Sequence, residues 1–319
     1  MRLAAGFARA LAIAFGLLPL WAVPAAASGS DFTWSGAPPP NNGLFSVCKT
    51  WSNPYNWVGG VAPSGSVGTL TFPYIGGGPE SGCHYTENDL VGISVNALDI
   101  TGGLETTAYK IEGNQIPLGE GGITVTPSIY AQGWTETDIG APLLLSAPQT
   151  WTINGSKYVG WLNLHDNVSG EASALQVKLN NGNLAVRGAD LESGPLSISG
   201  QGSVYLGASL GAYLIGALNG NDGNPVSIGA GAILFDENTN IAVDKNAYDI
   251  GALTLAEGGL LELGQPEYNA SVTLPVNGGV SFRPTSQLAL LDNSQITATG
   301  PVNLGGASLH IQDGTTLIN

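Results

Sequence analysis

The chain has 319 residues, of which 9 are Lys or Arg and 24 are Asp or Glu, giving a formal net charge of −15. So acidic a composition argues against nucleic acid and anionic membrane surfaces as partners, because contacts with phosphate groups need Lys and Arg side chains. Charged residues make up 10% of the chain while 47 residues are glycine, so Ser, Thr, Asn and Gly supply most of its polarity. This composition favours many short strands joined by tight turns, with enough apolar residues for a folded core.

The first 27 residues have the layout of a secretory signal peptide. Arg2 and Arg9 form a basic segment, the apolar run LAIAFGLLPLWAV follows, and the small residues PAAAS offer cleavage after Ala27. A membrane anchor is the alternative interpretation, but the apolar run is short for a membrane span. We therefore expect export to the cell surface or the medium, with no membrane insertion once residues 1–27 are removed.

Residues 28–90 are predicted to form an irregular, Trp-rich N-terminal cap region. The stretch WSNPYNWVGGVAPSGSVGTLTF (51–72) contains Trp51, Trp57 and Phe72, and Trp34 precedes it. These side chains are either a sugar-binding platform or the packed cap of a repeat fold. An open solenoid end must be covered to protect its strand edge, and each buried aromatic contributes about 150–250 Å² of surface. We expect the packed cap.

Cys48 and Cys83 are the only cysteines of the chain. In an exported protein the pair predicts a disulfide, which stabilises the fold by about 4 kcal/mol on the chain-entropy model. A two-cysteine metal site with His84 is the alternative, but it lacks further ligands at metal-binding spacing.

Residues 91–319 are predicted to form the β-helix repeat region. From about residue 150 onward, short apolar alternations end in Gly, as in LSISG (196–200), SVYLG (203–207) and LLELG (260–264). Such strands cannot bury their apolar face alone, whereas stacked turns bury it in one continuous core. Asn-rich stretches such as LNNGN (179–183) suit the corners, since Gly and Asn tolerate positive φ. The pattern favours an all-β, right-handed parallel β-helix, with a β-sandwich as the alternative.

Several stretches carry a family resemblance. They are FTWSG (32–36), TWSNPYNWVGGVAPSGSVGTLTF (50–72), YKIEGNQIPLGEGGITV (109–125) and PLLLSAPQTWTINGS (142–156). Together they resemble the Trp-rich part of bacterial exported proteins that carry autotransporter-associated β-strand repeats. The resemblance covers roughly residues 32–200. It implies the amino-terminal part of a β-helical, passenger-like surface protein and says nothing about a ligand.

No catalytic, cofactor or metal site is predicted. The only histidines are His84, His165 and His310, and no Gly-x-Ser-x-Gly elbow accompanies them. His165 and Asp166 are neighbours, and adjacent residues of a strand point to opposite faces, so we interpret them as a solvated turn. His84, beside Cys83, is interpreted as a loop residue.

A polysaccharide-cleaving β-helix is the enzyme hypothesis, since hydrolysis needs two carboxylates facing one sugar bond. The candidate pairs are Asp236 with Glu237, which are adjacent and so split across strand faces, and Asp244 with Asp249. Asp222, in GNDGN (220–224), is a weak calcium candidate without the closing Glu of an EF-hand loop. We interpret that stretch as a polar turn.

The sequence as a whole predicts a non-catalytic extracellular β-helical repeat protein, structural or adhesin-like in role. Its partner is an unidentified surface or extracellular ligand, for which a glycan is one candidate. A carbohydrate-binding module is the alternative function, with Trp134, Trp151 and Trp161 as stacking platforms. Trp151 shares a strand face with Ile153, however, which favours its burial.

Overall fold

The computed structural model describes residues 29–36, 49–75, 84–102, 109–128, 135–155, 160–170, 173–187, 191–206, 224–229, 232–236, 250–264, 272–291, 293–311 and 316–318. Side chains are described in these ranges except at 224, 225, 235, 236 and 316–318. Among these residues there is no α-helix, and no helix is long and apolar enough to cross a membrane.

The described residues form β1 Ser30–Thr33, β2 Ser66–Phe72, β3 Tyr85–Asn88, β4 Ser94–Gly102, β5 Tyr109–Gly113, β6 Ile116–Pro127, β7 Thr135–Ile139, β8 Leu143–Leu145, β9 Gln149–Asn154, β10 Gly160–Leu164, β11 Val168–Ser169, β12 Leu175–Val186, β13 Leu196–Leu206, β14 Asn224–Ile228, β15 Ala232–Asp236, β16 Ile250–Leu255, β17 Leu260–Leu263, β18 Thr273–Val276, β19 Val280–Phe282, β20 Gln287–Leu290, β21 Gln295–Ala298, β22 Val302–Asn303, β23 Ser308–Ile311 and β24 Thr316–Ile318. One 3-10 turn, Pro54–Asn56, starts where the side chain of Asn53 accepts a hydrogen bond from the backbone of Tyr55.

The strands pair in parallel and stack along three faces of a β-solenoid. Face 1 contains β3, β5, β7, β10, β12, β13, β15, β17, β20 and β23. Face 2 contains β1, β2, β4, β6, β9, β12, β13, β14, β16, β19 and β22. On face 3, β6, β8 and β11 pair in turn, as do β16, β18, β21 and β24. The parallel β-helix predicted from the sequence is confirmed, and the β-sandwich alternative is wrong.

Long strands turn the corner between two faces. In β12, residues 175–180 pair with β9 on face 2, while 182–186 pair with β10 on face 1. Asn181, at the bend, has φ 58°, which Asn tolerates better than most residues. The corner predicted for LNNGN (179–183) is therefore confirmed.

The core is made of inward side chains stacked one turn above another. One such row runs along face 2, and every member is at most 1% exposed. Its members are Leu70, Leu98, Ile123, Trp151, Val177, Ile198, Ile228, Leu255 and Phe282. Full burial of one such aliphatic side chain stabilises by roughly 1.5–3 kcal/mol. Trp151 belongs to this row, so its predicted burial is confirmed.

The aromatic cluster near the N-terminus consists of Phe32, Trp34, Trp51, Trp57, Phe72 and Tyr109. Trp57 packs edge-on against Trp34, with ring centroids 5.1 Å apart, and against Trp51 at 6.0 Å. Trp34, Trp51 and Phe72 are fully buried and Trp57 is 2% exposed. The indole of Trp57 donates to the carbonyl of Trp51 at 2.8 Å. These side chains are therefore a packed cap and cannot be a sugar-binding platform.

Candidate functional site

Several residues considered from the sequence lie outside the described residues. They are Cys48, Cys83, Trp134, Asp222, Glu237, Asp244 and Asp249. Asp236 ends β15, but its side chain is not among those described. The disulfide, the carboxylate pairs and the weak calcium candidate therefore stay predictions.

His84 belongs to the surroundings of the aromatic cluster. It lies just before β3, outside any strand as predicted, but it is only 5% exposed. Its ring packs edge-on against Tyr109, with centroids 5.4 Å apart, and its Nε2 lies 3.3 Å from the carbonyl oxygen of Ile75. Within the described ranges, no group of three His, Cys, Asp or Glu side chains is placed to hold a metal ion.

His165 lies beyond the end of β10, where its ring contacts a carboxylate of the neighbouring turn. Its Nε2 is 3.4 Å from Oδ1 of Asp138 on β7. The carboxylate of Asp166 instead accepts a hydrogen bond from the backbone of Asn167 at 2.7 Å. The predicted turn at 165–166 is confirmed, but the partner of His165 was not predicted.

Face 1 carries an outward row that places distant residues side by side. The row contains Tyr85, Lys110, Asp138, Asn163, Ala185, Tyr205, Glu262, Ala289 and His310. A second outward row, two positions earlier on each strand, contains Glu136, Trp161, Asn183 and Ser203. His165 and Arg187 follow β10 and β12 directly, and the backbone of each donates to the preceding strand. These rows bring the richest chemistry of the described residues onto one face.

Three side chains of this face form a polar group around Asp138. The side-chain amide of Asn163 donates to Oδ1 of Asp138 at 2.8 Å, and His165 approaches the same oxygen. Burial acts to raise the pKa of Asp138, but the hydrogen bonds from His165 and Asn163, with the charge of Arg187, outweigh it and lower the pKa. Asp138 is therefore ionised at neutral pH.

Two buried polar atoms of this group lack a hydrogen-bond partner among the described residues. One is Oδ1 of Asn163, a residue 1% exposed, and the other is Nε of Arg187. Because the amide nitrogen of Asn163 is bonded to Asp138, its oxygen points away from that carboxylate. The group thus contains one buried acceptor and one buried donor that the described side chains do not satisfy.

An aromatic pair lies next to this group. The rings of Trp161 and Tyr205 have centroids 5.3 Å apart and planes inclined by 31°. Both residues are partly exposed, whereas Ala185, which precedes Tyr205 in the outward row, is fully buried. We call Asp138, Trp161, Asn163, His165, Arg187 and Tyr205 the polar–aromatic patch.

A second ionisable group lies at the start of the same face. Lys110 forms a salt bridge with Glu112 at 2.7 Å, and the hydroxyl of Tyr85 donates to Glu112. That hydrogen bond, with some burial, raises the pKa of Tyr85 to about 12. Lys49 lies over the ring of Tyr85, 4.4 Å from its centroid. Because Tyr85 stays protonated at neutral pH, this group links neighbouring turns and is unsuited to act as a general base.

The fold defines the chain as a β-helical repeat protein, with parallel strands stacked as a β-solenoid. Comparison of the chain with family models, with curated proteins and with solved structures gave no match. The resemblance to autotransporter-associated repeats therefore stays a prediction, carried by the quoted stretches alone.

Proposed function

We propose that the protein is a non-catalytic, exported structural element, secreted or displayed adhesin-like on the cell surface. The observation that carries the proposal is the continuous inward row of face 2, which runs from Leu70 to Phe282. Because a single apolar core runs over that span, most of the described residues serve to stack one turn on the next. A repeat protein of this kind offers extended lateral surfaces for contact with a partner.

The outward side of face 2 supports a structural role. Its strands present mainly small hydroxyl side chains, repeated at the strand spacing of about 4.8 Å. They include Thr69, Thr71, Thr124, Thr150, Thr152, Ser197, Ser199, Ser227, Thr254 and Ser281. A weakly charged, regular surface is better suited to binding a partner over a large area than to catalysis at a single site.

Two ionisable residues of face 1, Asp138 and Tyr85, support a role without catalysis. Asp138 has a lowered pKa and Tyr85 a raised one, so neither side chain is poised to exchange a proton near neutral pH. Measurable turnover of a polysaccharide, abolished by Asp244→Ala or Asp249→Ala, would instead establish the β-helical polysaccharide-cleaving enzyme.

Fractionation of cells that express the full chain tests export. We expect the protein outside the cytoplasm, with its N-terminus near Ser28 and an intact mass two hydrogens below that of the reduced form. A matched chain that begins at Ser28 should remain in the cytoplasm. Full-length protein that retains Met1 and stays in the cytoplasm would contradict the proposal. Free thiols on the exported protein would contradict the predicted Cys48–Cys83 disulfide.

The carbohydrate-binding alternative has a specific observation in its favour. Of the three tryptophans considered from the sequence, Trp151 is in the core and Trp134 lies outside the described residues. Trp161 is partly exposed and packs beside Tyr205. The row of three platforms is therefore not formed, but a different aromatic surface takes its place.

A further inference from the structure

We propose that the polar–aromatic patch on face 1 is a binding site for a neutral oligosaccharide built of hexose units. The site goes beyond the structural role, because it gives one face a defined ligand class. It does not depend on export, so each proposal can fail without the other.

The aromatic pair provides the apolar half of the site. Trp161 and Tyr205 come from β10 and β13, which are separated by β12, yet their ring centroids are only 5.3 Å apart. A partly exposed pair of rings on a sheet face is an amphipathic platform. The C–H face of a hexose ring is apolar and can lie against such a platform.

The polar half of the site matches the hydroxyl groups of a sugar. Oδ1 of Asn163 is a buried acceptor and Nε of Arg187 a buried donor, and neither has a partner among the described residues. A buried polar group without a partner is costly, and polar groups in binding sites are commonly satisfied by the ligand. A hydroxyl both donates and accepts, so the hydroxyl groups of a sugar can pair with either kind of atom.

Charge selects a neutral sugar over an acidic one. Asp138 is ionised, Glu136 precedes Trp161 in the second outward row, and Arg187 is the cation beside them. The chain itself carries a formal charge of −15. A carboxylated or sulfated sugar would approach this surface against repulsion, whereas a neutral hexose would not.

Calorimetric titration of the full chain with neutral gluco-, manno- and galacto-oligosaccharides tests the site, with an oligogalacturonate as the acidic comparator. We expect saturable binding of at least one neutral oligosaccharide and weaker binding of the acidic one. Trp161→Ala and Tyr205→Ala should each lower the affinity at least about tenfold. Asn163→Ala should lower it as well, because the buried acceptor is lost.

Tyr55→Ala is the matched control, since Tyr55 is an aromatic residue 70% exposed in the N-terminal region. It should leave the affinity unchanged. If Trp161→Ala does not fold, Trp161→Phe replaces it in the test. This variant keeps an aromatic ring and should keep part of the affinity. In the unsubstituted protein, the indole N–H resonance of Trp161 should shift during the titration.

Three results would overturn the site. One is no binding of any neutral oligosaccharide at millimolar concentration. Another is binding that Trp161→Ala and Tyr205→Ala leave unchanged in folded protein. The third is tighter binding of the oligogalacturonate than of every neutral sugar.

Discussion

His165 lies 3.4 Å from Asp138, a residue 27 positions earlier in the chain, and not against its sequence neighbour Asp166. The stacking of turns explains why His165 contacts Asp138, because it places each residue beside the one a full turn earlier in the chain. Asn163 donates to the same carboxylate. The pair therefore links β7 to the end of β10 from the outside of the solenoid.

Replacement of Asp138 tests this link. Asp138→Asn should lower the free energy of unfolding by about 1 kcal/mol at neutral pH, as expected for a partly exposed, hydrogen-bonded pair. Asp166→Asn is the control and should change it little. Denaturant unfolding followed by circular dichroism measures both, and equal effects of the two substitutions would contradict the pairing.

The same effect should depend on pH. The pKa of Asp138 is lower in the folded protein than its ordinary value, so the carboxylate stabilises the fold above its unfolded pKa of about 4. That contribution is lost as the pH falls through the lower folded pKa. Titration of Asp138 should therefore leave the stability difference between the unsubstituted protein and Asp138→Asn constant from about pH 6 upward. The difference should shrink below about pH 4.

A charge in the core should be far more harmful than one on the adjacent outward position. Leu255 is fully buried between Ile228 and Phe282, while its neighbour Thr254 faces outward and is partly exposed. Leu255→Asp should cost more than about 4 kcal/mol or prevent folding, because the inward row provides no partner for a carboxylate. Thr254→Asp should cost less than about 1 kcal/mol. Similar losses in thermal unfolding would show that the two faces of β16 are wrongly assigned.

Substitution of two glycines that share a φ of 63° distinguishes the cost of backbone strain from the cost of steric contact. A Cβ on Gly122 would lie 2.2 Å from the backbone oxygen of Thr150, whereas one on Gly65 would meet nothing within 4 Å. Gly65→Ala should cost about 1 kcal/mol from its positive φ alone. Gly122→Ala should cost a further 1–3 kcal/mol or so, because the neighbouring turn must shift. Equal midpoints in urea for the two variants would contradict the close stacking of β6 on β9.

The packing of the aromatic cluster predicts that two nearby residues contribute very differently to the free energy of unfolding. Trp57 is 2% exposed and its indole is hydrogen-bonded inside the cluster, whereas Tyr55 is 70% exposed. Trp57→Ala should cost about 3–5 kcal/mol, the usual range for a buried aromatic. Tyr55→Ala should change the unfolding free energy little. A small effect of Trp57→Ala would mean that the cap is not packed as described.

Burial and corner positions could be predicted from the sequence, because both depend on local patterns. Two-residue alternation predicted strands with one apolar side, as in LLELG (260–264), where Leu261 and Leu263 are both fully buried. The Gln-Thr-Trp-x-Ile pattern likewise placed Trp151 in the core. Asn181 takes the positive φ expected of a corner residue. These features require knowledge of one strand at a time.

The polar–aromatic patch could not be predicted, because it depends on the register between turns. Along the outward row of face 1, Lys110 and Asp138 are 28 positions apart, while Ala185 and Tyr205 are 20 apart. The turns therefore differ in length, and no fixed period aligns the outward residues of neighbouring strands. Alternation alone shows that Asp138 and Trp161 point outward. Only the pairing shows what lies beside them.

The stacking of parallel turns is the feature on which every contact above depends, and one distance measures it directly. Thr69 on β2 and Thr254 on β16 share an outward row of face 2, seven strand steps apart through β4, β6, β9, β12, β13 and β14. At about 4.8 Å a step, their backbones should be about 34 Å apart. Spin labels carried by non-natural amino acids at these two positions allow pulsed electron resonance to measure the separation. A single narrow distribution near about 34 Å, after allowance for the label arms, is the predicted result. A broad distribution, or one centred below about 20 Å, would contradict the solenoid.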